Sequence, residues 1–226
     1  MARGGTARRQ LPPPLPPEER TVGQLVAEAI RMYGTRPLVA VLIGAVVVAV
    51  NVLAIAVPRD VALALSPVAL GLALTPAYLL AIGAVTGASL RSRDALRAFL
   101  VGVLVMLPFP YLVFTLVLPG LAWLALVGLS VPAALVERLP AWDALKRGVA
   151  LARADYVHAL GGLCALAIVV FVTQASVYLA LRAYAESAAQ VAAALAALVA
   201  SPLLFFGGAL LYVDQEARLR AKRARG

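Results

Sequence analysis

One histidine, His158, and one cysteine, Cys164, are all that the chain offers of the two side chains most used as metal ligands and nucleophiles. A lone cysteine forms no intrachain disulfide, and a lone histidine builds no multi-histidine metal centre. No Gly-rich phosphate loop, His-Glu zinc motif or Cys pair occurs in the 226 residues. His158, beside Asp155 and Tyr156, could sense pH, but an aromatic ring at the boundary of a membrane span explains it more simply. Cys164 reads as a small apolar packing residue, and Asn51, Thr173 and Gln174 as interhelical hydrogen-bonding groups before a polar path. The expectation is a protein with no catalytic residue, no cofactor and no metal site.

The acids agree with this reading. All 11, at positions 18, 19, 28, 60, 94, 137, 143, 155, 186, 214 and 216, fall in tails, connections or span ends. Proton-relay carriers keep an ionisable group at membrane depth, so that mechanism loses its support. The elements holding these residues must be membrane helices, because 63% of the chain is apolar and 14% charged, against roughly 45–50% and about 25% in soluble domains. The mean hydropathy of +0.93 points the same way. An all-α polytopic membrane protein is expected, with the bilayer in the place of a core.

Residues 1–20, with four arginines and the run Leu11 to Pro17, have a polyproline composition and are expected to form a disordered tail. Prolines replace the apolar stretch of a signal peptide, so no cleavage is expected. Pro13-x-x-Pro16 lacks a flanking arginine at adaptor-ligand spacing and reads as linker. A membrane domain is expected over 21–213, opened by the capping box Thr21-x-x-Gln24 and the stripe Val22, Leu25, Ala29 and Met32. Spans are expected at about 37–57, 69–90, 98–118, 120–136, 158–181 and 187–213, and a basic tail over 214–226. Ser66-Pro67 is expected to turn the chain into the second span, and Gly83-x-x-x-Gly87 to admit another helix. The uncharged run 98–136 is too long for one span, about 58 Å as helix, and Pro119-Gly120 is its natural break. It either crosses twice or forms a re-entrant hairpin. Pro76, Pro132 and Pro202 are further candidate helix breaks, and Pro108 and Pro110 should distort the third span.

Between the fourth and fifth spans, Trp142, Leu145, Val149, Ala152 and Tyr156 share a helical face beside Asp143, Lys146, Arg147 and Arg153. This is the pattern of an interfacial amphipathic helix, with Asp143 and Arg147 paired at i, i+4 and Pro140 in the first turn. Arg91, Arg93 and Arg97 mark a second polar connection, and both stretches are candidate cytoplasmic interaction helices. A signature of acid, Ala, aliphatic and base recurs as Glu28 to Arg31, Asp94 to Arg97 and Asp143 to Lys146. It fits three units of interfacial helix plus hairpin, and equally the general needs of any amphipathic helix at a membrane surface.

The 20 Lys and Arg residues fall 6, 1, 3, 0, 4, 1 and 5 over the successive tails and connections, so alternate connections hold 18 and 2. By the positive-inside rule both termini are cytoplasmic, whether 98–136 crosses or returns. Nine of the acids share the basic side, so the whole +9 faces one way. That suits anionic lipid head groups and not nucleic acid, which would need the charge on a folded soluble surface.

The stretch Thr21 to Tyr33, Pro119-Gly120 followed by Trp123, Val131-Pro132 to Glu137, and Ala144 to Arg147 together resemble the membrane domain found fused to glycerophosphoryl diester phosphodiesterases and in related uncharacterised six-span integral membrane proteins. The resemblance covers about residues 21–213; Gly148, where a small hydroxyl residue is expected, and Arg153-Ala-Asp155, in place of a basic-Gly pair, depart from it. It implies an anchoring or accessory module, since the enzyme's acidic metal ligands and paired histidines belong to a separate soluble domain. Two functions are expected to compete: a non-enzymatic module that scaffolds or anchors membrane or cytoplasmic partners in the cell membrane, and a transporter or permease subunit for a small solute.

Overall fold

A computed structural model describes residues 16–90, 93–182 and 186–225. Among them the chain is entirely helical: a 3₁₀ turn at Pro17–Glu19, then α1 Val22–Thr35, α2 Pro37–Ala56, α3 Arg59–Thr86, α4 Arg93–Met106, α5 Phe109–Thr115, α6 Val117–Val127, α7 Ser130–Val136, α8 Ala141–Ala152, α9 Tyr156–Leu181, α10 Glu186–Ala200 and α11 Pro202–Arg225. Five helical stretches are long and apolar enough to cross a membrane, and a sixth if α1 and α2, bent by 104°, count as one. The protein is a multi-pass helical membrane protein.

Local rules set several boundaries. Thr21 accepts from the Gln24 N–H while the Gln24 side chain accepts from the Thr21 N–H, the reciprocal capping box expected from the sequence. Leu25 and Ala29 of α1 are fully buried. Pro37 opens α2 from the first helical position, where its missing N–H costs nothing. Pro108 and Pro110 interrupt the third span as expected: α4 stops at Met106 and α5 starts at Phe109.

Other boundaries differ from the expectation. Ser66-Pro67 is no turn, because α3 runs unbroken through Pro67 and Pro76 for 28 residues; membrane helices tolerate such prolines when neighbours cover the freed backbone groups. Gly83 and Gly87 serve the end of α3: Gly87 adopts the left-handed conformation (φ 73°) and its N–H reaches the Gly83 carbonyl at 2.9 Å. The break in 98–136 falls at Leu116, which is extended (φ −158°, ψ 140°), and Pro119 and Gly120 lie inside the first turns of α6. Proline fits there because the first helical turn has no intrahelical acceptor for its N–H. Pro132 lies within α7, where the freed Gly128 carbonyl accepts from the Val131 N–H at 3.4 Å. The expected boundary at 213/214 is absent, since α11 continues to Arg225.

Small residues let the helices close up. Pro202 cannot donate to the Leu198 carbonyl one turn back, and Gly44 of α2 packs against that carbonyl so closely that a Cβ would lie 3.0 Å from the Leu198 Cα. Gly148 of α8 abuts Ser130, where a Cβ would lie 2.7 Å from the Ser130 Cα. Fully buried Leu25, Ile43, Ile82, Leu166, Phe206 and Leu211 form part of the common core, whereas Leu38, Val157 and Phe171 are 70–82% exposed, as lipid-facing residues are.

The three acid-Ala-aliphatic-base signatures share one local geometry. Glu28–Arg31, Asp94–Arg97 and Asp143–Lys146 pair at 3.5, 3.6 and 3.9 Å, one turn apart. The second unit lacks its own interfacial helix, because Asp94 to Arg97 form the opening of α4 itself.

Candidate functional site

Two linked clusters of charged side chains gather segments that are remote in the chain. The first is centred on Glu137, at the end of α7. Its carboxylate accepts from Arg147 Nε at 2.9 and 2.8 Å and from the Tyr212 hydroxyl of α11 at 3.0 Å. The next residue, Arg138, turns the chain with a left-handed φ of 57°, a conformation costing a non-glycine residue roughly 1–2 kcal/mol. Its guanidinium lies 3.7 Å from Asp94, so the reversal between α7 and α8 is also tied to the start of α4.

The second cluster joins the residues just before α1, the start of α9 and the far part of α11. Asp155 caps α9, accepting from the His158 N–H at 3.1 Å. Arg218 donates to Asp155 at 2.7 Å and to the Arg20 carbonyl at 2.6 Å, and Gln215 donates to the Asp155 carbonyl at 2.7 Å. Lys222 donates to the Ala154 carbonyl. Asp214, fully buried, pairs with Arg20 at 2.5 Å and faces His158, whose Nε2 is 3.7 Å from its second oxygen. The other ring nitrogen of His158 lies 3.4 Å from Arg218. A carboxylate is buried at such a position only when cations and donors surround it, and here Arg20 supplies the direct pair.

This arrangement corrects several expectations. Residues 16–20 are not a tail: Pro17–Glu19 turns and Arg20 is pinned, while the rest of the expected tail lies outside the described residues. Asp214 and Gln215 are in the interior and not in a basic tail. His158, in the first turn of α9, is a buried member of the cluster, 9% exposed. Arg147 pairs with Glu137 and not with Asp143, whose partner is Lys146. The inner face of α8 is Ala144, Gly148, Leu151 and Ala152; Trp142, placed on that face by the spacing, is 67% exposed with Lys146 Nζ 5.4 Å above its ring. Pro140 stands just outside α8 as its N-cap.

Of the candidate interaction residues, Arg93, Arg97, Asp143, Lys146 and Arg153 are exposed and Arg147 is half-buried; Arg91 lies outside the described residues. The proposed break positions do not converge. Pro76 is internal to α3, Pro132 to α7 and Pro119 and Gly120 to α6, and only Pro202 opens a helix.

Arg20, Glu137, Asp155, His158, Tyr212, Asp214, Gln215 and Arg218 were missed as a group. One signal was readable. Phe206, Leu210, Asp214 and Arg218 recur every four residues, so the polar positions continue the inward stripe of the apolar part of α11.

No protein-family model matches the sequence, and no curated protein and no solved structure matches it significantly.

Proposed function

We propose that this chain is a non-enzymatic membrane module that scaffolds or anchors partners at the cytoplasmic membrane, with both termini in the cytoplasm. The observation that carries the reading is the mutual pairing of Arg20 with Asp214, Arg147 with Glu137 and Arg218 with Asp155. These pairs tie three segments that are remote in the chain to one another. Beside them α8 keeps Trp142, Asp143 and Lys146 outward. A Trp with a Lys beside it is suited to the head-group layer, and the basic excess of the connections on this face favours anionic lipids and the cytoplasmic side. Nucleic acid is not part of this reading. The anchoring role is the one implied by the resemblance to the phosphodiesterase-associated membrane domain.

A second reading, a transporter or permease subunit for a small solute, draws on a separate observation. Thr75, Ser130 and Ser201 are buried with hydroxyl oxygens that have no hydrogen-bond partner among the described residues, each within two residues before a proline in a helical span. Hydroxyls beside interrupted helices can line a polar path.

Purification from native membranes in mild detergent, followed by reconstitution into liposomes, separates the two. The anchoring reading expects a reproducible membrane or cytoplasmic protein partner and no solute flux. A stoichiometric ATPase partner, or flux that depends on a solute and on this chain, overturns it in favour of the transporter.

A further inference from the structure

Beyond the ion pairs, α11 forms one wall of a cleft of about 450 Å³ whose charged lining is Glu18 and Glu19 of the 3₁₀ turn, Asp155 at the start of α9, and Arg218, Lys222 and Arg225 of α11. The three cations recur at intervals of four and three residues, so a single face of α11 looks into the cleft. Its size is that of a small-molecule site, roughly 300–1,000 Å³.

The lining is balanced, with three carboxylates and three cations, but the two signs are differently engaged. Arg218 and Asp155 neutralise each other at 2.7 Å, and Lys222 is held by the Ala154 carbonyl. Among the described residues Glu18, Glu19 and Arg225 have no ion-pair partner. The two free carboxylates stand on one segment and the free guanidinium on another. A simple anion entering the cleft meets the glutamates, and a simple cation meets α11. A molecule carrying both charges a few bonds apart satisfies the two walls together, because each charge it loses from water regains a charge-assisted partner.

We propose that this cleft binds a zwitterion of the phosphoethanolamine type, its ammonium held by Glu18 and Glu19 and its phosphate by Arg225 and Lys222. The inference is independent of whether the chain anchors partners or transports a solute. Two sources carry this chemistry, an aminophospholipid head group and a free phosphoethanolamine. Arg218 to Arg225 lie five to twelve residues past Val213, the last apolar residue before the buried Asp214. At 1.5 Å per residue that is roughly 7–18 Å, from within the head-group layer to beyond it, so both sources reach the cleft.

The test uses the full chain in detergent micelles. Calorimetric titration with O-phosphoethanolamine is run beside inorganic phosphate and ethanolamine separately, and native mass spectrometry compares retention of phosphatidylethanolamine with that of phosphatidylglycerol. The proposal expects the zwitterion, free or as a lipid, to bind at least tenfold more tightly than either half or than the anionic lipid. It expects E18Q/E19Q and R225Q each to weaken that binding about tenfold, with unchanged gel-filtration profiles and circular dichroism. These three residues lie outside the ion pairs, so the variants keep the fold. Binding by free phosphoethanolamine assigns the soluble source, and retention of the aminophospholipid without such binding assigns the lipid. Phosphate alone binding as well as the zwitterion, a preference for phosphatidylglycerol, no binding of either zwitterion, or indifference to all three substitutions overturns the proposal.

Discussion

Arg20 and Asp214, separated by 194 residues of chain, meet at 2.5 Å with side chains 12% and 0% exposed. The pair fastens the segment before α1 to α11 at the point where the apolar part of α11 ends. Its desolvation offsets much of its Coulombic attraction, so its chief effect is to forbid separation of the partners. Arg20→Ala leaves a buried carboxylate with His158 at 3.7 Å beside it, and the expected loss is about 3–5 kcal/mol. Arg20→Met combined with Asp214→Leu should recover most of it. Thermal unfolding in detergent reads both, and equal losses in the single and double variants would mean that the pair is not what holds this junction.

The carboxylate of Glu137 receives two hydrogen bonds from Arg147 and one from Tyr212. Tyr212→Phe removes one donor to a charged acceptor, an expected cost of about 1.5–3 kcal/mol. Arg147→Lys should also destabilise, because a lysine has no donor at the place where the Arg147 Nε bridges the two carboxylate oxygens. If Arg147→Lys leaves the unfolding midpoint unchanged while Asp143→Asn lowers it, Arg147 is paired along α8 as the spacing alone suggested.

Tyr156, the first residue of α9, donates from its hydroxyl to the Ala122 carbonyl at 3.1 Å. Ala122 is six residues from the break at Leu116, about 9 Å along α6, whereas the 26 residues of α9 extend about 39 Å. Residues 93–113 and 117–136 are each long and apolar enough to cross; from the short reach past Tyr156 we propose that they form a re-entrant hairpin instead. In a Cys164→Ala background, a cysteine at Val117, which is 59% exposed, should resist membrane-impermeant thiol reagents added to either side of sealed vesicles. A cysteine at Asp60 serves as the reactive control. Labelling at 117 from the side that labels 60 would establish a full crossing. Gly120 is a poor reporter, being buried against Val113.

Gly44 covers the Leu198 carbonyl that Pro202 leaves without its helical donor. Gly44→Ala forces α2 away from α10 against backbone atoms that cannot rotate aside. The expected cost is about 1–3 kcal/mol, far above that of Gly34→Ala, where a Cβ meets nothing within 4 Å. Equal unfolding midpoints for the two variants would contradict the close approach.

Features governed by neighbours in the chain were legible in the amino-acid sequence. The Thr21–Gln24 capping box, the inward stripe of α1, the opening of α2 at Pro37 and the apolar length of α9 depend on hydrogen bonds and periodicities that act within one or two turns. The helical class and the alternation of basic connections follow from composition and spacing alone. Features that depend on competition between distant partners were decided by the tertiary structure. Asp143 and Glu137 both lie within reach of Arg147 along the chain, and Glu137 prevails because Tyr212 and the Arg138 turn orient its carboxylate. Asp214 reads as the first residue of a solvated tail until Arg20 and His158 are brought to it across more than fifty residues of chain. A charge lies inside a protein only where its counter-charges converge, and that convergence is a property of the packed helices and not of any one segment.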